Sequence, residues 1–211
     1  PIRLPMDGPQ VLAVGPEMKA TICVARGQLA FLSQHVGDLW NVETWDHYRR
    51  IVSQFQDLFS VEPEVIVHDL HPDYLSTRYA LERAANEGVT AVGVQHHYAH
   101  AFSCLVDAGF DLASRRVQAV VLDGTGYGTD GRIWGGEWLL LEGADFRRLA
   151  HLQYMPLAGG EEGIKHVDRL AAGYLMAAEA KDLLSRIPAF ADLIPGQLAL
   201  IEASLNMPMA T

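Results

Sequence analysis

Residues 120–131 read VVLDGTGYGTDG, a hydrophobic strand that runs into a turn with four glycines. Glycine has no Cβ atom, so successive backbone N–H groups in such a turn are open to a ligand and can wrap a phosphate. Thr125 would add a hydroxyl group, and Asp123, at the end of the predicted strand, could hold a cation. The same glycines also suit a hairpin that only turns tightly, and the motif alone leaves both interpretations open.

Hydrophobic periodicity around this stretch predicts a duplicated α/β protein. Each half opens with a β-meander, the first with strands at 11–14, 20–25 and 29–34, the second with strands at 117–122, 133–141 and about 148–154. Between them, helices at 43–59, 74–86 and 97–108 alternate with buried strands at 65–68 and 91–95. A helix at 164–180 follows, with no clear buried strand after it. We therefore predict a first lobe at 1–116 and the first part of an unfinished second lobe at 117–211, with a cleft between them.

The composition is that of a globular protein and argues against several classes of function. The 211 residues are 49% hydrophobic and 20% charged, so the chain can bury a core. Its net charge of −10 disfavours adhesion to nucleic acid or to anionic lipid. Cys23 and Cys104 lack a zinc-type spacing and predict no disulfide framework. With no apolar stretch long enough to span a membrane and no signal segment, a cytoplasmic protein is expected.

Two histidines supply a second chemical signal. His96 and His100 lie in the sequence QHHYAH at 95–100, near the start of a predicted helix, and four residues apart they can share one helical face. Two imidazoles with a carboxylate such as Asp123 form a ligand set that can bind a divalent metal and leave a position open. Such a pair is about as often a surface or hydrogen-bonded core feature, so the metal site is a hypothesis here. His97 faces elsewhere and is expected to be structural.

Two further loops are candidates for the cleft. The sequence HDLHPDY at 68–74 follows a buried strand, where open α/β sheets place ligand-contacting loops, although helix capping would explain it equally well. The sequence MPLAGGEE at 155–162 is a second glycine-containing turn that opens a helix. Its acidic side chains suit either the helix dipole or ribose hydroxyl groups.

Six motifs, in this order, resemble the HypF family of hydrogenase-maturation carbamoyltransferases. They are VGPEMK (14–19), FLSQHVGDL (31–39), HDLHPDYLST (68–77), VQHHYAHAFSC (94–104), LDGTGYGTDGRIWGGE (122–137) and PLAGGEEGIKHVDRLA (156–171). The resemblance runs from about Val11 to Leu175. It implies an actin-, Hsp70- and sugar-kinase-like fold of two ribonuclease-H-like lobes, with the second lobe truncated.

The resemblance also implies an activity. In this family ATP and carbamoyl phosphate yield carbamoyl-adenylate, and this domain passes the carbamoyl group to the C-terminal cysteine of HypE. That group becomes the cyanide ligand of the NiFe centre. The implied partners and cofactors are therefore HypE, ATP or carbamoyl-adenylate, carbamoyl phosphate, and iron or zinc.

Site residues are carried over motif by motif. The implied metal ligands are His96, His100 and Asp123. The implied phosphate cradle is Gly124, Thr125 and Gly126. Lys19 in VGPEMK resembles a lysine that reaches the carbamoyl-adenylate, and Glu161, beside Gly160 in the nucleotide-binding turn, stands where the family has an aspartate that would contact the ribose.

The chain departs from the family pattern in several places. The acylphosphatase-like, zinc-finger and adenylate-forming parts are missing, as is the second half of the second lobe, which brings a further acidic metal ligand and another glycine-rich loop. Because that half is missing, we expect the isolated chain to be inactive. Both ends are expected to be cut from a longer polypeptide. The family usually has Pro-Trp-Arg where this chain has Val167-Asp168-Arg169.

Other functions stay open from the sequence. A relative with the same fold could transfer the group to a small-molecule hydroxyl or take part in tRNA threonylcarbamoylation, although the motifs and the acidic charge argue against tRNA. The chain could also be an inactive fragment that binds nucleotide and metal. An exposed, incomplete sheet would encourage self-association.

Overall fold

The computed structural model describes residues 1–110, 116–155 and 166–205, and its contacts divide the chain into two units, Pro1–His151 and Leu152–Thr211. Within the first unit, the first sheet and its helices are, in chain order, β1 (Ile2–Ala13), β2 (Cys23–Leu32), α1 (Val42–Phe59), β3 (Val65–Asp69), α2 (Leu75–Glu87), β4 (Thr90–Val94) and α3 (His96–Asp107). The second sheet of the same unit consists of β5 (Arg116–Tyr127), β6 (Ile133–Glu142) and β7 (Asp145–His151). Across the described residues, no helix has both the length and the apolar character needed to cross a membrane.

The first sheet has the order β2-β1-β3-β4 and confirms the predicted α/β class. Strand β1 is antiparallel to β2 and parallel to β3, which is parallel to β4. Its core includes Leu12 and Ile66 from the strands, Ile22 just before β2, and Tyr48 and Ile51 from α1, all buried. The parallel strands bring the carboxyl ends of β3 and β4 to one edge, the edge at which ligands bind in open α/β sheets.

The predicted first meander of three strands is wrong, because the structure has a two-stranded hairpin. One strand, β2, covers most of the predicted second and third strands. Gly27, which lies between the predicted second and third strands, adopts a φ of 59° and lies at an irregularity in the pairing of β1 with β2, where glycine allows a bulge without ending the strand. Strand β1 also includes the proline-rich lead. Proline is tolerated there because the parallel pairing of β1 with β3 begins only at Val11.

The helices of the first unit are confirmed within one or two residues of their predicted bounds. Helix α1 is capped by Asn41, whose side-chain oxygen accepts from the backbone N–H groups of Glu43 and Thr44. Helix α2 ends at Gly88, which has a φ of 70° as the left-handed C-cap requires.

The second sheet, β5-β6-β7, is antiparallel and confirms the predicted second meander. Its first strand is longer than predicted, however, and β5 continues through the glycines to Tyr127. The pairing with β6 shifts register between Leu122 and Gly126, so these glycines form an irregularity within the strand and the turn comes after it. Asp123 therefore lies inside β5 and not at a strand end.

The second unit is helical in its described part. It contains α4 (Val167–Ala177), two short 3₁₀ helices at Lys181–Ser185 and Pro188–Phe190, and α5 (Pro195–Leu205). Ala172, Phe190 and Ile201 form its buried core. The start of the predicted helix at 164–180, together with Gly160 and Glu161, lies outside the described residues.

Candidate metal centre

His96, His100 and Asp123 converge on one point of the first unit. One ligand atom from each lies within 4.8 Å of the other two. Asp123 Oδ2 is 3.1 Å from His96 Nε2 and 3.5 Å from His100 Nε2, and the two Nε2 atoms are 3.2 Å apart. The structure therefore brings together the three residues that the sequence singled out as metal ligands.

Gln95 places the histidine-bearing helix against β5. Its side-chain Oε1 accepts a hydrogen bond of 2.9 Å from Tyr98 N and so caps α3. The same amide donates through Nε2 to the backbone oxygen of Tyr127 in β5, at 3.1 Å. This buried side chain thus ties the start of α3 to the strand that carries Asp123. Sequence reasoning assigned it no role.

A fourth polar residue, Asp69, contacts His96 at the ring nitrogen that does not face Asp123. It is the last residue of β3, and its Oδ2 lies 2.7 Å from His96 Nδ1. Asp69 is paired with Val94 in the parallel register of β3 and β4, which places it beside the start of α3. Sequence reasoning placed the HDLHPDY loop at the cleft without assigning Asp69 a contact. The signal available was the carboxyl end of a buried parallel strand.

The His96 imidazole lies between the carboxylates of Asp69 and Asp123, which favour its protonated form. Asp123, together with Asp69, raises the pKa of His96 to about 9. The adjacent His96 imidazole and the Gly124 N–H lower the pKa of Asp123 to about 2 despite its partial burial. A divalent cation bound at this point would replace the proton on the imidazole, because ligand histidines must be neutral.

The donor set fits a divalent metal ion. Asp123 Oδ1 accepts from Gly124 N at 2.7 Å, and this leaves Oδ2 directed at the two imidazoles. Oδ2 is buried and makes no hydrogen bond of regular geometry with any described residue. The His100 side chain is 55% exposed, so one side of the cluster is open. Two imidazoles and one carboxylate with open positions suit Fe(II) or Zn(II).

Two glycines of β5 stand in different surroundings. A Cβ atom on Gly126 would lie 2.6 Å from His97 Cε1 and 2.9 Å from His96 Cβ, so the absence of a side chain lets α3 approach the strand. A Cβ atom on Gly124 would have nothing within 4 Å. The assignment of Gly124, Thr125 and Gly126 to a phosphate cradle stays a prediction. For Gly126, close packing is a sufficient reason for glycine.

We expect Gly126→Ala to destabilise the protein and Gly124→Ala to leave it unchanged. The Gly126 variant must push His97 and His96 away from β5, an overpacking that costs about 2 kcal/mol of unfolding free energy. Because His96 moves, zinc affinity should fall as well. Urea unfolding and zinc titration of both variants measure these effects. Equal behaviour of the two variants would contradict the packing role.

The aromatic residues beside the triad have structural roles. His97 is fully buried, its Nδ1 lies 3.2 Å from Gln95 Nε2, and burial lowers its pKa. The expectation that His97 is structural is thereby confirmed. In the HDLHPDY loop, the His71 ring stacks on Tyr74 at 4.1 Å and meets Tyr127 edge-on at 5.2 Å. The loop is therefore packed against β5.

Lys19 lies in an exposed turn after β1. Within the described residues it forms no hydrogen bond or ion pair with the three ligand residues. Its neighbour Glu17 is buried, and Glu17 Oε2 accepts from Leu75 N, the first residue of α2, at 2.6 Å. The turn that carries Lys19 is thus fixed to the helix that follows the Asp69 loop. Sequence reasoning did not identify this contact.

Two family models match consecutive parts of the chain. The model of the HypF Kae1-like domain matches residues 6–107. A model described as the second subdomain of a carbamoyltransferase Kae1-like domain matches residues 119–211. Together they cover almost the whole sequence.

Curated relatives carry the same family name. Carbamoyltransferase HypF2 of Cupriavidus necator is 44% identical over 89% of this chain and 23% of its own length. Carbamoyltransferase HypF of Synechocystis is 38% identical over 83% of this chain and 22% of its own length. A HypF homolog of Cupriavidus necator is 35% identical over 97% of this chain and 52% of its own length. The chain thus spans between about a fifth and a half of these relatives.

Solved structures agree with the sequence comparison. Full-length HypF in a phosphate- and nucleotide-bound form superposes with a TM-score of 0.79 and 37% identity, over 98% of this chain and 27% of that one. HypF of T. kodakarensis superposes with a TM-score of 0.79 and 30% identity, over 100% of this chain and 28% of that one.

Proposed function

The chain belongs to the HypF carbamoyltransferase family, and we propose that it supplies the metal-binding part of a site that transfers a carbamoyl group from carbamoyl-adenylate to the C-terminal cysteine of HypE. The observation that carries the proposal is the convergence of His96, His100 and Asp123 within 4.8 Å beside the glycines of β5. The carbamoyltransferase names of its relatives support the reaction class.

The three ligand residues would hold iron or zinc at the open side of the cluster. A divalent cation bound there would polarise a phosphate or carbonyl oxygen as a Lewis acid. Asp123 Oδ1 accepts a hydrogen bond from Gly124 N, so Oδ2 stays directed at the site. The His96 ring is held between Asp69 and Asp123, which orients its Nε2 in the same direction.

The remaining assignments concern the nucleotide. We propose that the backbone of Gly124, Thr125 and Gly126 faces the phosphate, and that Gly160 and Glu161 contribute on the ribose side. Nucleotide and phosphate are present in the HypF structure that superposes on this chain, which supports a nucleotide site. Lys19 would contact the carbamoyl-adenylate. The acceptor is the thiolate of HypE, so the transfer needs no nucleophile from this chain.

The experiment uses a protein that carries this chain together with the other parts of the family. It is incubated with ATP, carbamoyl phosphate and a peptide that ends in cysteine, with a matched peptide ending in serine as control. We expect mass spectrometry to detect a carbamoyl adduct on the cysteine peptide alone. An adduct on the serine peptide would favour an O-carbamoyltransferase, and no adduct on either would contradict the proposed reaction.

A further inference from the structure

We propose that Asp69 is a positioning residue that fixes the tautomer and the ring orientation of His96. The inference rests on the proposed metal site and names a residue outside the ligand set that controls it. Asp69 Oδ2 lies 2.7 Å from His96 Nδ1, and the two side chains are only 6% and 16% exposed. The contact is therefore shielded from water, where charge-assisted hydrogen bonds are strongest.

Asp69 is itself held on two sides. Its second carboxylate oxygen, Oδ1, accepts from the backbone N–H of His71 at 2.9 Å. Its backbone oxygen accepts from Thr77 Oγ1 at 3.2 Å in a buried contact. The carboxylate can neither swing away from His96 nor exchange its two oxygens without breaking the contact with His71. It therefore forms a fixed acceptor at the end of β3.

This fixed acceptor decides which ring nitrogen of His96 carries the hydrogen. Facing a carboxylate, Nδ1 must be the donor, so in the neutral ring Nε2 carries the lone pair. Nε2 is the nitrogen directed at Asp123 and His100. The carboxylate also makes the imidazole a stronger ligand, and loss of such a partner costs about 10–100-fold in metal affinity.

The substitution Asp69→Asn tests whether Asp69 sets the tautomer of His96. In the variant, one oxygen must still accept from His71 N, so the atom that faces His96 becomes the NH₂ group, a donor. His96 Nδ1 must then accept, and the hydrogen moves to Nε2, where it blocks metal binding. The shape of the side chain and its contact with the loop are kept. The variant should therefore lose zinc affinity without losing its fold.

The matched control is Asp73→Asn, the same change in the same loop. Asp73 is exposed and pairs with Arg78 at 3.1 Å, away from the ligand set. For each full chain we would measure the zinc dissociation constant by competition with a chelator, the visible spectrum of the Co(II)-loaded protein, and the urea midpoint of the metal-free protein.

We expect Asp69→Asn to weaken zinc binding about 10–100-fold and to change the Co(II) spectrum, while the metal-free variant keeps a cooperative urea transition at a lower midpoint, because a buried charged contact is lost. The control should match the unsubstituted chain in all three. Unchanged zinc affinity and spectrum in Asp69→Asn would overturn the positioning role while leaving the metal site intact. Loss of the cooperative urea transition together with the affinity loss would make Asp69 a structural residue. Absence of zinc binding by the unsubstituted chain would overturn the metal proposal and this one together.

Discussion

Replacing both His96 and His100 with alanine is expected to reduce zinc binding by the chain to a nonspecific level. The double variant leaves Asp123 as the one remaining member of the triad. A single carboxylate does not form a zinc site, because zinc requires three or four protein ligands arranged around it. Calorimetric titration with zinc, and with Fe(II) under anaerobic conditions, measures the effect. The result would also show whether the metal site forms within this chain alone.

The control for this experiment is the double variant His35→Ala/His47→Ala. It removes the same number of imidazoles from exposed positions outside the triad. The single variant His100→Ala separates binding from folding, because its side chain is 55% exposed whereas His96 is enclosed by Asp69 and Asp123. Zinc binding by the His96/His100 double variant equal to that of the control would show that the metal binds elsewhere.

Local patterns predicted the helices and the histidine pair well. The spacing of apolar residues locates α1, α2 and α3 within one or two residues, since one helix has one period and one buried face. The same periodicity puts His96 and His100 on one face, and the observed distance of 3.2 Å between their Nε2 atoms agrees. The part of the candidate site that lies on a single helix could therefore be predicted from the sequence.

Glycine was the main source of error in the strands. The predicted strands stop before Gly27 and before Gly124, yet β2 and β5 continue through both. A glycine permits a turn, a bulge or a close approach, and neighbouring residues do not decide among these. For Gly126 the deciding atoms are those of His97, on another element, so no local pattern could indicate why glycine is required there.

Contacts that depend on sheet register were also not predicted. Asp69 reaches His96 because β3 and β4 pair in parallel with Asp69 opposite Val94. Glu17, in the turn after β1, accepts a hydrogen bond from Leu75 at the start of α2, 58 residues further along the chain. Such partners emerge only when strand order and register are known. Asp69 and Glu17 each lie in a sequence motif, but their contact partners can be identified only from the fold.

Glu137→Ala is expected to lower the free energy of unfolding by about 3 kcal/mol, the largest stability effect we predict. Glu137 lies on β6 with its side chain only 2% exposed, and its Oε2 is 2.6 Å from Arg148 Nε on β7. The guanidinium group also lies 4.0 Å from the Trp134 ring. Truncating one partner of a buried ion pair leaves the other charge poorly compensated, which costs about 3–5 kcal/mol. Asp130 remains 3.3 Å from Arg148 Nη1, so we expect the lower end of that range.

The matched control for Glu137→Ala lies on the same strand. Glu142 pairs with Arg116 at 2.6 Å, but its side chain is 40% exposed, so Glu142→Ala should cost less than about 1 kcal/mol. Urea unfolding and hydrogen exchange of residues 133–151 compare the two. Glu137 Oε1 also accepts from Gly135 N, and a Cβ atom on Gly135 would lie 3.3 Å from the Asp123 backbone oxygen. The Glu137 variant should therefore also bind zinc more weakly, because the strand pair that holds Asp123 is loosened. Equal stability losses in the two variants would contradict the role of burial.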